Sequence, residues 1–179
     1  VVEKSNIVLV GPMGSGKSAV GRHLARTLRR EFVDSDAEIE QRTGVDIAYI
    51  FEKEGESGFR QREREIIAEL SARENSVIAT GGGAVLDPRN CERLTSNGVV
   101  VYLRTTVAQQ LERTRNSTTR PLLFDGDPKT VLNELMTTRA PLYEQTADII
   151  VDTGGRRVGT VVNEITAKLR EHGGLPLKK

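Results

Sequence analysis

The chain has 179 residues and a mass of 19.7 kDa, enough for one domain with its own buried core and too short for two catalytic domains. Its 26 Lys and Arg balance 25 Asp and Glu, so bulk positive charge cannot drive nucleic-acid binding, and with aromatics at 4% and no Trp few rings are left for bases to stack on. No apolar run approaches the roughly 18 residues of a membrane span, the opening residues lack a signal-peptide pattern, and a single cysteine, Cys91, excludes an intramolecular disulfide or a Cys-rich zinc site. The expectation is a monomer of a reducing compartment, the cytoplasm, with no nucleic-acid or membrane partner.

In chain order, residues 6–10 (NIVLV) form a nearly unbroken apolar run, as in a strand buried on both faces. A glycine-rich turn follows, and from Lys17 to Arg30 the apolar residues Val20, Leu24 and Leu28 mark one helix face. Phe32 and Val33 start a second strand that ends in Asp34-Ser35-Asp36. Residues 37–73 are predicted as two or three helices broken near Gly44 and between Gly55 and Gly58, with Phe59, Ile66, Ile67 and Leu70 as the apolar stripe of the last.

The third strand is residues 76–80 (SVIAT), followed by Gly81-Gly82-Gly83. Asp87-Pro88 reads as an N-cap followed by a proline in the first helical position. Residues 99–103 (VVVYL) are the fourth strand, and Thr106 to Arg113 a short helix. Residues 114–127 are polar and punctuated by Pro and Gly, hence a loop. A helix is predicted from Pro128 to Arg139 and a fifth strand at residues 148–151 (DIIV). Val158, Val161, Val162, Ile165 and Leu169 give the face of a closing helix, and the tail from His172 is expected to fray.

Short apolar strands alternating with helices imply an α/β fold with a parallel sheet covered on both faces. Ligands of such sheets sit beyond the strand C-terminal ends. Three chemically loaded segments fall there: residues 11–18, the Asp34–Asp36 turn and the glycine run 81–83.

Residues 11–18 (GPMGSGKS) match G-x-x-x-x-G-K-[ST] in the required place, after a strand and opening a helix. Glycines let the backbone close on a phosphate, and successive N–H groups at a helix start point at the anion. Lys17 can reach the β- and γ-phosphates, and the Ser18 hydroxyl can ligate Mg²⁺. The pattern identifies nucleoside triphosphate binding without naming the reaction. No Asn is followed by Lys, which removes the guanine-reading motif of a GTPase. The string Asp152-Thr-Gly-Gly155 lies beyond the last strand, and no strand ends in the acidic pair of a motor ATPase. Transfer to a small acceptor remains.

At the rim, one carboxylate of Asp34 and Asp36 can support Mg²⁺ and the other can orient an acceptor hydroxyl; alternatively they form an Asx-turn or a cap before a helix starting at 37, which Asp36 could supply. Arg62 and Arg64 read with their neighbouring Glu residues as a solvated, ion-paired face, from which pattern alone hardly separates Arg60. Arg139 follows the predicted helix, where a cation could simply offset the helix dipole. Three successive glycines favour close approach of a ligand to backbone over a plain turn, which one glycine would satisfy. Arg120-Pro121-Leu122-Leu123 lies in the long loop, where an Arg can supply late positive charge to a phosphoryl group. His23, His172 and Cys91 carry no role.

Residues 11–18, Asp34-Ser35-Asp36, Phe59-Arg60, the glycine run, Arg120-Pro-Leu-Leu and Arg139-x-x-x-Tyr143 occur in this order and spacing, and over about residues 4–171 the chain resembles the bacterial shikimate kinases, the proteobacterial type in particular. The resemblance implies a P-loop kinase of the nucleoside-monophosphate-kinase type, with a five-stranded parallel sheet of order 2-3-1-4-5. It implies a single kinase domain over 1–179, with a substrate-binding region at 37–63, a lid at 113–127 and a flexible tail at 172–179. The implied reaction converts ATP and shikimate to ADP and shikimate 3-phosphate, on the route to chorismate and the aromatic amino acids.

By position, the resemblance implies that Gly14, Ser15, Gly16, Lys17, Ser18 and Ala19 cradle ATP, that Ser18 binds Mg²⁺ with Asp34 in its outer shell, and that Arg120 closes over the phosphates. Asp36 contacts the ring hydroxyls, Arg60 and Arg139 hold the carboxylate, and the Gly82 backbone touches the ring. Lys17, Asp36 and Arg120 are the catalytic set. Arg113 lies against adenine. Some relatives place a proline on the far side of the base; here Val158 stands at that point, with Arg156 and Arg157 able to approach the base instead. A kinase for another acceptor, a sugar acid or a nucleoside monophosphate, is the nearest alternative. A base-bearing acceptor calls for aromatic or amide residues where Asp, Arg and Gly stand. A nucleotide-binding regulatory module without turnover calls for loss of Asp36 or Arg120, and both are present.

Overall fold

A computed structural model of the chain describes residues 3–115 and 126–176. Five strands, β1 (Asn6–Val10), β2 (Glu31–Asp34), β3 (Ser76–Ala79), β4 (Gly98–Arg104) and β5 (Ile149–Asp152), form one sheet of order β2-β3-β1-β4-β5. All four pairings are parallel, as the expected fold class requires. β1 lies at the centre and is buried along its whole length, which explains why its sequence is apolar without alternation.

Alternate residues of the central strands feed two cores. Ile7, Leu9, Val77, Val99 and Val101 pack on one face under α1 (Lys17–Leu28) and α7 (Val158–His172), through Val20, Leu24, Val161, Ile165 and Leu169. Val8, Val10, Ile78, Val100 and Tyr102 pack on the other, against Phe59, Ile66, Ile67 and Leu70 of α3 (Ile47–Ser71) and Leu94 of α4 (Pro88–Asn97). The period of two along each strand thus sorts one sequence into two layers. The remaining helices are α2 (Ser35–Thr43), α5 (Val107–Thr114) and α6 (Pro128–Thr146), with a short 3-10 turn at Ala84–Leu86 after the glycine run. Among the described residues no helix is long and apolar enough to cross a membrane.

Several boundaries differ from the sequence expectation. α2 begins at Ser35 rather than 37, because Asp34, not Asp36, caps it: the Asp34 carboxylate accepts from the N–H groups of Asp36 (3.0 Å) and Ala37 (3.1 Å). The break expected between Gly55 and Gly58 is present at Gly55, whose φ of 71° and ψ of −179° are non-helical, so α3 is two helical segments joined across a kink. α6 runs to Thr146, seven residues past the expected end and through Pro141. An interior proline costs about 3 kcal/mol, and the packing of buried Tyr143 on Tyr102, with ring centroids 5.0 Å apart, offsets it. Val158, expected on the apolar face of α7, is exposed. The tail does not fray as expected through residue 176: Leu175 is buried in the core, the Lys4 N–H donates to the Gly174 carbonyl (3.2 Å), and Arg30 donates to that of Pro176 (3.3 Å).

Candidate active site

The C-terminal ends of β1, β2 and β3 open into one cleft of about 600 Å³, within the range of small-molecule sites. One end is the loop between β1 and α1. Gly11 must be glycine, since a Cβ there would stand 2.6 Å from the Leu103 carbonyl oxygen. Gly16 takes a left-handed φ of 91° to start α1. The Lys17 ammonium curls over this loop, donating to the carbonyls of Gly11 (2.7 Å) and Pro12 (2.9 Å) and to Ser15 Oγ (3.4 Å). Gly14, Gly16, Lys17, Ser18 and Ala19 line the cleft. Ser15 is fully buried, and its N–H donates back to the Pro12 carbonyl (3.2 Å).

Beside the loop, Ser18 Oγ donates to Asp34 Oδ2 at 2.8 Å. The same carboxylate therefore caps α2 and faces the start of α1, while Asp36, in the first turn of α2, turns into the cleft. The two acids do different work, a division that their spacing alone did not reveal.

At the opposite end stand Arg60 and Arg139. Arg139 is 5% exposed and sits inside α6 rather than after a helix, so the expectation of a cation answering a helix C-terminus is corrected: the backbone carbonyls around it belong to a continuing helix. Arg60, on α3, donates to Glu63 Oε1 (2.9 Å) and pairs with Glu56 (3.2 Å). Glu63 is 1% exposed. Burial pushes its carboxyl above the usual carboxylate range, and the nearby charges of Arg60 and Arg139 pull it back down. Glu63 thus pairs directly with Arg60 and feels the charge of Arg139 at longer range.

The glycine run forms the floor between these ends. A Cβ on Gly81 would lie 2.8 Å from Asp36 Oδ1 and 3.0 Å from Glu63 Oε2, one on Gly82 would lie 3.4 Å from Arg139 Nη1, and one on Gly83 would overlap the Arg60 guanidinium. The glycines thus let four charged side chains converge on backbone. Gly81→Ala is expected to lower kcat/KM for the acceptor by ~10- to 100-fold, because its methyl displaces both carboxylates. Steady-state kinetics check this against a parent-like melting temperature; unaltered kinetics would mean that the carboxylates move aside freely.

The structure thus brings Lys17, Ser18, Asp34, Asp36, Arg60, Gly82, Arg113 and Arg139 to one cleft. Arg113 bridges the carbonyls of Gly14 (2.8 Å) and Thr153 (3.4 Å). Arg157 is exposed at the N-cap of α7 and does not line the cleft; Arg156 is held by Glu164 (2.6 Å) and the Asp152 carbonyl (2.8 Å). Arg120 and most of the expected lid at 113–127 lie outside the described residues. Arg62 pairs with Glu54 on the surface, as expected, whereas Arg64 pairs not with a neighbouring Glu but with Asp87, the N-cap of α4, in a more buried contact. Sequence reasoning missed Glu63 by merging it with that surface. The signal was present: Glu63 falls in the stripe of Phe59, Ile66, Ile67 and Leu70, where a lone carboxylate is buried. Tyr143, quoted in the Arg139 motif without a role, donates its hydroxyl proton to the Gly82 carbonyl.

Comparison with known proteins follows the same outline. A family model described as Shikimate kinase matches residues 13–170. A shikimate kinase of Francisella tularensis subsp. novicida is 52% identical over 172 residues, 96% of this chain and 98% of the relative. One from Vibrio cholerae is 51% identical over 172 residues, 96% of this chain and 99% of the relative. Among solved structures, the shikimate kinase from Acinetobacter baumannii in complex with shikimate matches with a TM-score of 0.92 at 46% identity, covering 95% of each chain.

Proposed function

From the premise that this chain belongs to the shikimate kinase family and phosphorylates shikimate, we propose that its cleft holds ATP at the Lys17 end and the acid at the Arg60–Arg139 end, with the 3-hydroxyl of shikimate turned to the γ-phosphate. The fold is that of the P-loop kinases of nucleoside-monophosphate-kinase type. The observation that carries the placement is the pairing of two largely buried guanidinium groups with a glycine floor at one end of a cleft whose other end is a phosphate loop.

Arg60 and Arg139 offer planar donor forks that match a carboxylate, and the fork fixes the ring's register as a point charge would not. The Gly82 backbone contacts the ring. Asp36 orients the attacking hydroxyl. Transfer of a phosphoryl group is largely dissociative, so the hydroxyl proton is lost late, and Asp36 accepts it then. The N–H groups from Gly14 to Ala19 and the Lys17 ammonium stabilise the phosphate oxygens. Lys17 reaches them by leaving the carbonyls of Gly11 and Pro12, a swing within its own four-carbon stem. Arg113 lies against adenine and Arg120 closes over the phosphates; Arg157, exposed and outside the cleft lining, takes no part in the nucleotide site.

The donor set beside the loop suits Mg²⁺: a hydroxyl and a carboxylate oxygen 2.8 Å apart, both hard ligands. No cluster of three or more His, Cys, Asp or Glu occurs among the described residues, and none is needed where substrate phosphates supply the other ligands. Ser18 would hold the ion directly and Asp34 through water, and the ion would supply neutralisation of phosphate charge.

The test is ADP release with ATP, Mg²⁺ and a panel of acceptors: shikimate, sugar acids and nucleoside monophosphates. Saturable release with shikimate alone is expected. Equal release with a sugar acid would show that the two arginines select a carboxylate without reading the ring.

A further inference from the structure

We propose that Tyr143 is a positioning residue for the acceptor, its hydroxyl locking the Gly82 carbonyl so that the glycine floor and Arg139 meet shikimate in one fixed geometry. The proposal deepens the reading above and rests on it for the roles of Gly82 and Arg139.

A run of three glycines has no side chains to orient its own peptides. Each peptide group must therefore be fixed from outside. The Gly81 N–H donates to Ser35 Oγ (3.1 Å), and the Gly81 and Gly83 carbonyls accept from the N–H groups of Ala84 and Leu86 (3.1 Å each). The Gly82 carbonyl is held by a side chain 61 positions away, the hydroxyl of Tyr143. The peptide that follows is trans, so fixing this carbonyl also fixes the opposite direction of the Gly83 N–H.

Tyr143 is itself fully buried and its ring is wedged on Tyr102, so the hydroxyl has a defined position. It stands on α6 one turn after Arg139, on the same helix face. The Arg139 guanidinium is also 3.4 Å from where a Gly82 Cβ would be. One helix therefore carries both the cation that grips the acid and the donor that aims the floor beneath it. Burial pushes the Tyr143 hydroxyl far above its ordinary pKa, against the pull of Arg139, so it remains a proton donor across the working range of the enzyme.

Tyr143→Phe keeps the ring packing and deletes only the hydroxyl, with its bond to the Gly82 carbonyl and its hydrogen-bonding interaction with Arg139. In this variant the shikimate KM is expected to rise about tenfold, with the ATP KM within about twofold and kcat within about threefold. The calorimetric Kd for shikimate without nucleotide should rise in step with KM. Leu169→Ala, in the core on the other face of the sheet, serves as the control: it should lower the melting temperature while leaving both KM values at parent level. A folded Tyr143→Phe with parent shikimate KM and Kd overturns the proposal, as does an equal rise in both KM values. A variant that does not fold, or a Leu169→Ala control that raises the shikimate KM equally, assigns the hydroxyl to stability and overturns it too. If Arg139→Ala also leaves the shikimate KM unchanged, it is the placement of the acid that fails, and not the role of Tyr143 alone.

Discussion

Lys17→Ala is expected to lower kcat by two to three orders of magnitude or more, with the fold intact. In a largely dissociative transfer, charge builds on the leaving β–γ bridging oxygen, and a positioned ammonium stabilises that charge far better than solvent does; removing one such donor costs on the order of 10²- to 10³-fold. The structural cost is small. Lys17 Nζ bonds to the carbonyls of Gly11 and Pro12, and each such bond is worth about 1 kcal/mol. The turn itself is set by Gly11 and Gly16, and α1 by the burial of Val20 and Leu24. Turnover at saturating ATP and shikimate, with a melting curve on the same sample, checks the expectation. A folded variant with near-parent kcat would remove the ammonium from the chemistry.

Arg139→Ala is expected to raise the shikimate KM by ~100-fold and the ATP KM by far less. Truncating one partner of a desolvated charge pair costs about 2–5 kcal/mol, and part of that is the penalty on the charge left behind. Here two charges are left: the carboxylate of shikimate and that of Glu63, which Arg139 helps to keep ionised. Without Arg139, the Glu63 carboxyl moves further up, and its hold on Arg60 loosens. Arg139→Lys separates charge from shape, since an ammonium keeps the sign and loses the fork; its shikimate KM should fall between the parent and Arg139→Ala. Equal changes in both KM values would move Arg139 out of the acceptor end.

Much of this architecture was legible before any coordinates. The phosphate loop, the five strands and the residues at the strand ends follow from apolar runs and glycine placement, because a doubly covered parallel sheet leaves its strands apolar and its rim polar. The roles of Asp36, Arg60, Gly82 and Arg139 came from the resemblance to the shikimate kinases rather than from pattern, and the cleft gathers all four. What the sequence hid was burial. Arg139 read as a helix-end cation because a proline two residues on commonly ends a helix, but the helix continues through Pro141, with Tyr143 packed on Tyr102 beyond it. Glu63 read as surface because it stands among Arg62, Arg64 and Glu65, although its place in the stripe of Phe59 and Ile66 turns it inward. The capping of α2 by Asp34 rather than Asp36 turned on a one-turn choice that local pattern does not resolve. The adenine side was the least legible: Arg113 lies over the phosphate loop, whereas Arg157 is exposed and does not line the cleft.

The proposed placement of ATP and shikimate at the two ends of one cleft requires that phosphate pass straight from nucleotide to alcohol rather than to water. Phosphorus NMR of a reaction containing the purified protein, ATP, Mg²⁺ and shikimate reads this directly. A single new phosphomonoester signal should grow in step with ADP, with little inorganic phosphate. ADP accompanied by inorganic phosphate and no ester would show that the cleft binds both molecules without facing them to one another.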